Sequence, residues 1–269
     1  KYPNAGYGKM FSQWLISDHP QPYNRFGNGS AMRVSPVGLY ANSLEEALEL
    51  ARITASASHN HPEGIKGAQA IAGYVFLKQN SSCWGCEEEI RRFITEKIGY
   101  NLDFNLDDIR ETYGFDVTCQ GSVPIAIKAY LERSGYPAEK ALRLAISMGG
   151  DSDTIGAMTA SIAGADRYCC GRGFHPNVVS QCRELLPADL LDINDRFEAF
   201  VSRPLHQCYY VGGTLFAGEY PGGKYVELAE SKLKRMHHFG VRHFVDLTEE
   251  GELRPYRQLL PNDTTYLRF

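Results

Sequence analysis

The chain has 269 residues, 43% of them hydrophobic, which is enough apolar material for one large domain or for a domain with a smaller companion. A formal net charge of −4 argues against a nucleic-acid surface, and no apolar run reaches the length of a bilayer span. No signal-peptide pattern opens the chain, and seven cysteines, an odd number in a chain too long to need stapling, fit a reduced cytoplasmic setting.

Near the start, Phe11, Trp14 and Leu15 share one helical face behind the turn-forming pair Tyr7-Gly8. Pro20, Pro22 and Asn24 mark a loop that leads into Phe26-Gly-Asn-Gly-Ser-Ala-Met-Arg33. There Gly27 and Gly29 permit close backbone approach, while Asn28, Ser30 and Arg33 supply donors and a fixed positive charge. Such a set suits a ribose or a phosphate; it also suits a plain glycine turn before a helix. Ser43 to Ala57 reads as an amphipathic helix capped by Ser43, with Glu45 and Glu46 in its first turn. It runs into Ser58-His-Asn-His-Pro-Glu-Gly64. His59 and His61 lack a third ligand at metal-like spacing, so the cluster is read as hydrogen bonding to a ligand or as a structural loop. An Ala-rich helix resumes over Gly67 to Leu77.

Cys83-Trp-Gly-Cys86 has no second Cys-x-x-Cys and no βαβ context, so neither a redox pair nor a zinc knuckle is expected. Glu87 to Glu96 reads as a solvated helix face, and Asp107 with Asp108 as caps of a short helix. The segment from Ala138 is apolar-periodic and stops at Gly149-Gly150. Asp151, Ser152, Asp153 and Thr154 then place two carboxylates and two hydroxyls in four residues, before a small-residue helix over Ile155 to Ala165. Oxygen donors at the mouth of a buried helix suit a hard cation, and the helix N-terminus favours anions such as phosphate. The same residues also suit a simple helix cap.

Beyond a break at Gly171 to Pro187, Leu185 to Phe200 reads as a helix. The character changes at Pro204: a strand pattern from Tyr209, a basic-faced helix over Tyr225 to His238, and a buried-type strand over Val241 to Thr248. This marks a second segment of α/β type, 204–269, after a helical one, 1–197.

Taken in order, Gly27-Asn-Gly-Ser-Ala-Met-Arg33, Ser58-His-Asn-His-Pro-Glu-Gly64 and Gly149-Gly-Asp-Ser-Asp-Thr-Ile-Gly156 resemble the ADP-ribosylglycohydrolase family over roughly residues 1–195. The resemblance implies a mainly α fold, an all-helical bundle here followed by a partial α/β segment. It also implies two Mg²⁺ ions that hold ADP-ribose, and cleavage of the bond between its anomeric carbon and a protein side chain, often arginine, or a related acceptor. Carried over, Asp151, Asp153 and Thr154 match the family's C-terminal metal ligands. Gly27, Asn28, Gly29, Ser30, Met32, His59, Asn60, His61, Gly64 and Ser152 match residues lining the ADP-ribose site. The family's Thr-Asp-Asp motif, which supplies the other metal ligands, does not occur in this chain, and no general base can be named. The expectation is therefore an N-terminally shortened hydrolase of low activity, with two alternatives: a module that binds ADP-ribose or a nucleotide, and the targeting domain of a phosphatase. The last rests on Leu215 to Gly222 and Gly240 to Thr248, which resemble the opening of a dual-specificity-type phosphatase, although His-Cys-x5-Arg is absent.

Overall fold

The computed structural model describes residues 2, 5–80, 86–165, 173–201, 208–212, 215–222 and 226–269. The chain divides into two compact units, Lys1–Val179 and Ser180–Phe269. The fold is mainly α. No helix among the described residues is long and apolar enough to cross a membrane.

The first unit is built on short helices: α1 (Lys9–Leu15), α2 (Gly29–Met32), α3 (Ser35–Tyr40), α4 (Leu44–Ser56), α5 (Pro62–Asn80), α6 (Cys86–Arg92), α7 (Leu106–Ile109), α8 (Cys119–Leu131), α9 (Ala138–Ser147) and α10 (Ser152–Ala165). Helix α5 is the axis. Its Gly67, Ala68, Ala70, Ile71, Ala72, Gly73, Tyr74 and Val75 are buried around the whole circumference, as a helix enclosed by others requires. It packs against α2, α3, α4, α8 and α10. Close approach depends on absent side chains. A Cβ on Gly38 would fall 2.5 Å from the Ala72 carbonyl, so α3 rests directly on the backbone of α5.

Helix α5 begins at Pro62, five residues before the start expected from the sequence. Proline suits a first helical turn because its missing N–H would be unpaired there anyway, so the polar cluster from His59 leads straight into the helix. Helix α4 matches its sequence reading, with the Ser43 hydroxyl accepting from Glu46 N. The acidic-basic stretch after Cys86 is less solvated than expected. It passes from α6 into a π-turn at Phe93–Ile98 that buries Phe93 and Ile94, and Glu87 pairs with the buried Lys78 at 2.8 Å. Residues 83–85 of the Cys-Trp-Gly-Cys motif lie outside the described residues.

Helix α11 (Pro176–Glu184) occupies much of the stretch expected to be a break, and α12 (Ala188–Val201) follows. In the second unit Arg183 reaches from the end of α11 to Asp195 on α12 at 2.6 Å. Strands β1 (Cys208–Gly212) and β2 (Leu215–Gly218) pair antiparallel. After α13 (Val226–His238), β3 (His243–Asp246) pairs in parallel with β4 (Thr265–Arg268), which the sequence pattern did not announce. Strand β3 alternates exposed and buried residues instead of being enclosed on both faces. Its Phe244 joins Leu233 and Tyr256 in a small core of this unit.

Candidate functional site

The oxygen-rich loop is set by backbone geometry. Gly149 and Gly150 both adopt left-handed conformations, φ 75° and 66°, which other residues reach only at a cost. They end α9 and turn the chain so that Asp151 can open α10, its carbonyl accepting from Ile155 N at 3.0 Å. Gly150 is confined as well as turned, since a Cβ there would stand 2.9 Å from the Tyr113 ring and from the Gly114 carbonyl.

Asp151 is partly buried and Asp153 exposed. Asp151 Oδ2 accepts from Asn28 Nδ2 at 2.7 Å, across 123 positions of sequence. Burial pushes the Asp151 carboxyl above its ordinary range against the pull of Asn28, and the neighbouring Asp153 carboxyl pushes the same way. Asp153, beside Asp151, is shifted down. The two carboxyl groups thus lie close enough to shift each other's ionisation, and no ion pair of either with Lys or Arg occurs among the described residues. Thr154 is buried, and its hydroxyl donates to Met32 Sδ at 3.6 Å.

The Gly27 loop is held from two sides. Asn28 N donates to Val117 O and Cys119 N to Phe26 O, a short antiparallel bridge onto the entry of α8. The Ser30 hydroxyl donates to Gly64 O at 2.7 Å, which clamps α2 onto the first turn of α5. Gly64 is itself confined, because a Cβ would meet Arg25 O at 2.6 Å and His59 O at 2.9 Å. Asn60 accepts from Asn24 N at 2.7 Å, and His61 Nδ1 accepts from Glu63 N while its ring meets Phe26 edge-on. His59 is buried, with Nε2 beside Gly29. Burial, then the charges of Arg33 and Arg25, lower its pKa to about 4, so the ring is neutral at physiological pH.

The sequence-derived candidates therefore divide by surroundings. Asn28 and Met32 touch the acidic loop directly, and Gly29 lies against His59. Ser30, Asn60, His61 and Gly64 have polar atoms or backbone engaged in joining the loops to one another. Ser152 opens α10 between the two carboxylates. Sequence reasoning missed Tyr113, whose ring packs on Gly150 and whose hydroxyl donates to Gly121 O at 3.2 Å. Burial, then Asp116 and Asp151, push its pKa up to about 12. It also missed the backbone carbonyl of Val117. No local pattern marks either one, since both act through contacts distant in sequence.

Asp151, Asp153 and Thr154 offer oxygen donors only, a set that fits a hard cation such as Mg²⁺. Among the described residues no group of three or more His, Cys, Asp or Glu gathers at metal-binding distance.

A sequence model of the ADP-ribosylglycohydrolase family matches residues 4–201. The chain is 33% identical over 152 residues to an uncharacterized protein of Archaeoglobus fulgidus, covering 52% of this chain and 49% of that one. It is 29% identical over 180 residues to human ADP-ribosylhydrolase ARH3, covering 52% and 50%. It is 28% identical over 169 residues to the uncharacterized protein YegU of Escherichia coli, covering 53% and 50%. The chain thus spans about half the length of the curated relatives it matches. A solved structure described as an ADP-ribosylglycohydrolase-related protein complex superposes with a TM-score of 0.47 at 22% identity, over 70% of this chain and 64% of that one.

Proposed function

Because the chain belongs to the ADP-ribosylglycohydrolase family, we propose that it contributes to the hydrolysis of ADP-ribosyl linkages at the site built from α2, the His59 loop and the N-terminus of α10. The substrate class is an ADP-ribosylated protein side chain such as arginine, or a small ADP-ribosyl compound. The observation that carries this reading is the Asn28–Asp151 hydrogen bond of 2.7 Å, which joins the first and third sequence motifs into one surface.

In this reading Asp151, Asp153 and Thr154 hold Mg²⁺, two ions in the complete family site. A metal held there would supply positive charge complementary to an anionic ligand. The protein residues do the positioning. Asn28 orients the Asp151 carboxylate, as a second layer of hydrogen bonding does for metal-binding carboxylates. The N-terminus of α10 adds its partial positive charge on the same side. Gly29 and the neutral His59 give a close, uncharged wall against which a sugar can lie. Holding the ribose in one orientation favours departure of its anomeric substituent, a step with oxocarbenium character.

A module that binds ADP-ribose without cleaving it is the second reading, supported by the absence, among the described residues, of a third metal-ligating His, Cys, Asp or Glu beside Asp151 and Asp153. For the second unit, kinship with dual-specificity-type phosphatases is a proposal supported by the parallel β3–β4 pair following α13. The sequence contains no His-Cys-x5-Arg, the motif whose thiolate attacks phosphorus in such phosphatases.

The test is release of ADP-ribose from ADP-ribosylated arginine, with and without Mg²⁺, alongside titration with ADP-ribose. Mg²⁺-dependent release supports the hydrolase. Binding without release supports the module, and the absence of both overturns both readings.

A further inference from the structure

Arg33, Ser58 and His59 form a chain of hydrogen bonds behind the ligand face. Arg33 Nη2 donates to Ser58 Oγ at 2.9 Å and to Thr54 O at 3.2 Å. Ser58 Oγ lies 2.8 Å from His59 Nδ1, and both residues are buried. A guanidinium can only donate, so Arg33 occupies a lone pair of the Ser58 oxygen and leaves the hydroxyl proton in need of an acceptor. Among the described residues, His59 Nδ1 is the acceptor within range. A neutral imidazole that accepts at Nδ1 carries its proton on Nε2.

That second nitrogen has no protein acceptor among the described residues, and it faces Gly29, where a Cβ would stand 3.5 Å away. Any side chain at position 29 would lie in contact with Nε2 and cover it. Glycine leaves the edge open, one residue from the Asn28 that holds Asp151.

We propose that Arg33 and Ser58 are positioning residues that lock His59 as its Nε2-protonated tautomer, so that the site presents a fixed, neutral hydrogen-bond donor to an acceptor oxygen of its ligand. The lock follows from the protein's own hydrogen bonds; the ligand half rests on the proposed function and names ADP-ribose. A locked neutral donor recognises an oxygen without adding a further positive charge beside Arg33 and Arg25, and it does not alternate between donating and accepting.

Long-range ¹H–¹⁵N spectra of the histidine-labelled chain at neutral pH test this, with the His59 signals assigned by their absence in His59→Gln. The expected result is a pyridine-type shift at Nδ1 and a pyrrole-type shift at Nε2. Ser58→Ala and Arg33→Met should both give averaged, mixed-tautomer shifts with unchanged far-ultraviolet circular dichroism. Ser58→Ala should also weaken ADP-ribose binding by roughly threefold to tenfold, the worth of one net hydrogen bond. Ser58→Thr, which keeps the hydroxyl, should restore both properties. Movement of the Nε2 signal with ADP as well as ADP-ribose places the acceptor oxygen on the ADP part, and movement with ADP-ribose alone places it on the terminal ribose. A protonated Nδ1 in the unsubstituted chain, or the same tautomer in Ser58→Ala, overturns the proposal. A locked tautomer in a chain that binds no ADP-ribose supports the positioning role and overturns the proposed function.

Discussion

Asn28 shows how one side chain joins two loops far apart in the chain. Its amide donates to Asp151 while its own backbone N–H is tied to Val117, so the donor cannot drift from the carboxylate. If Asp151 helps to hold Mg²⁺, Asn28→Ala should lower Mg²⁺ affinity by roughly tenfold or more, the usual effect of removing a group that orients a metal ligand. Isothermal calorimetry measures this, and equal affinity in the two proteins would detach Asn28 and Asp151 from a cation site. Asp151→Asn should reduce both metal affinity and activity. Loss of activity with unchanged Mg²⁺ binding would count against a ligand role for Asp151. The candidate residues were legible at this scale because motif residues stand next to one another. Their division between ligand face and loop clamp was not legible, because Ser30 and Gly64 meet only after folding.

At the scale of elements, helix starts fixed by local hydrogen bonds followed the sequence, and those fixed by packing did not. Ser43 and Glu46 are three residues apart, so the cap of α4 forms wherever the chain turns helical. Strand β4, by contrast, exists through its pairing with β3, His243 opposite Thr265, and has little signal of its own. Two predictions belong here. Gly38→Ala should destabilise the protein by about 1–3 kcal/mol, because α3 cannot retreat from the α5 backbone without opening the core. Urea unfolding reads the change, and an unshifted midpoint would show that α3 moves freely. Glu132 accepts from Leu106 N at the start of α7 and pairs at 3.3 Å with Lys128, whose side chain is 7% exposed. Glu132→Ala should cost about 3 kcal/mol, since it leaves a buried ammonium without its carboxylate. A cost no larger than that of an exposed pair, measured in the same way, would mean that Lys128 finds water instead.

Over the whole molecule, the neutral His59 links stability to pH. Its pKa is about 4 in the folded chain against an ordinary 6.5, with burial as the main cause and Arg33 and Arg25 adding to it. Between those values the unfolded chain binds more protons at this group, so stability is fully present above pH 6.5 and falls as the pH drops toward 4. His59→Gln should remove up to about one proton from the slope of unfolding free energy against pH in that window. Matched urea titrations across it would show the same slope in both proteins if His59 were solvated.

By itself the sequence determined the helical character of the first unit, the family, and the three motifs of the candidate site, because periodicity, caps and glycine turns act within a few residues. Tertiary structure alone decided that Asn28 meets Asp151, that Tyr113 walls Gly150, and that Arg33 and Ser58 line up behind His59. Each of those depends on burial and on hydrogen-bond partners brought together by packing around α5, and short-range pattern holds no record of which distant groups will meet there.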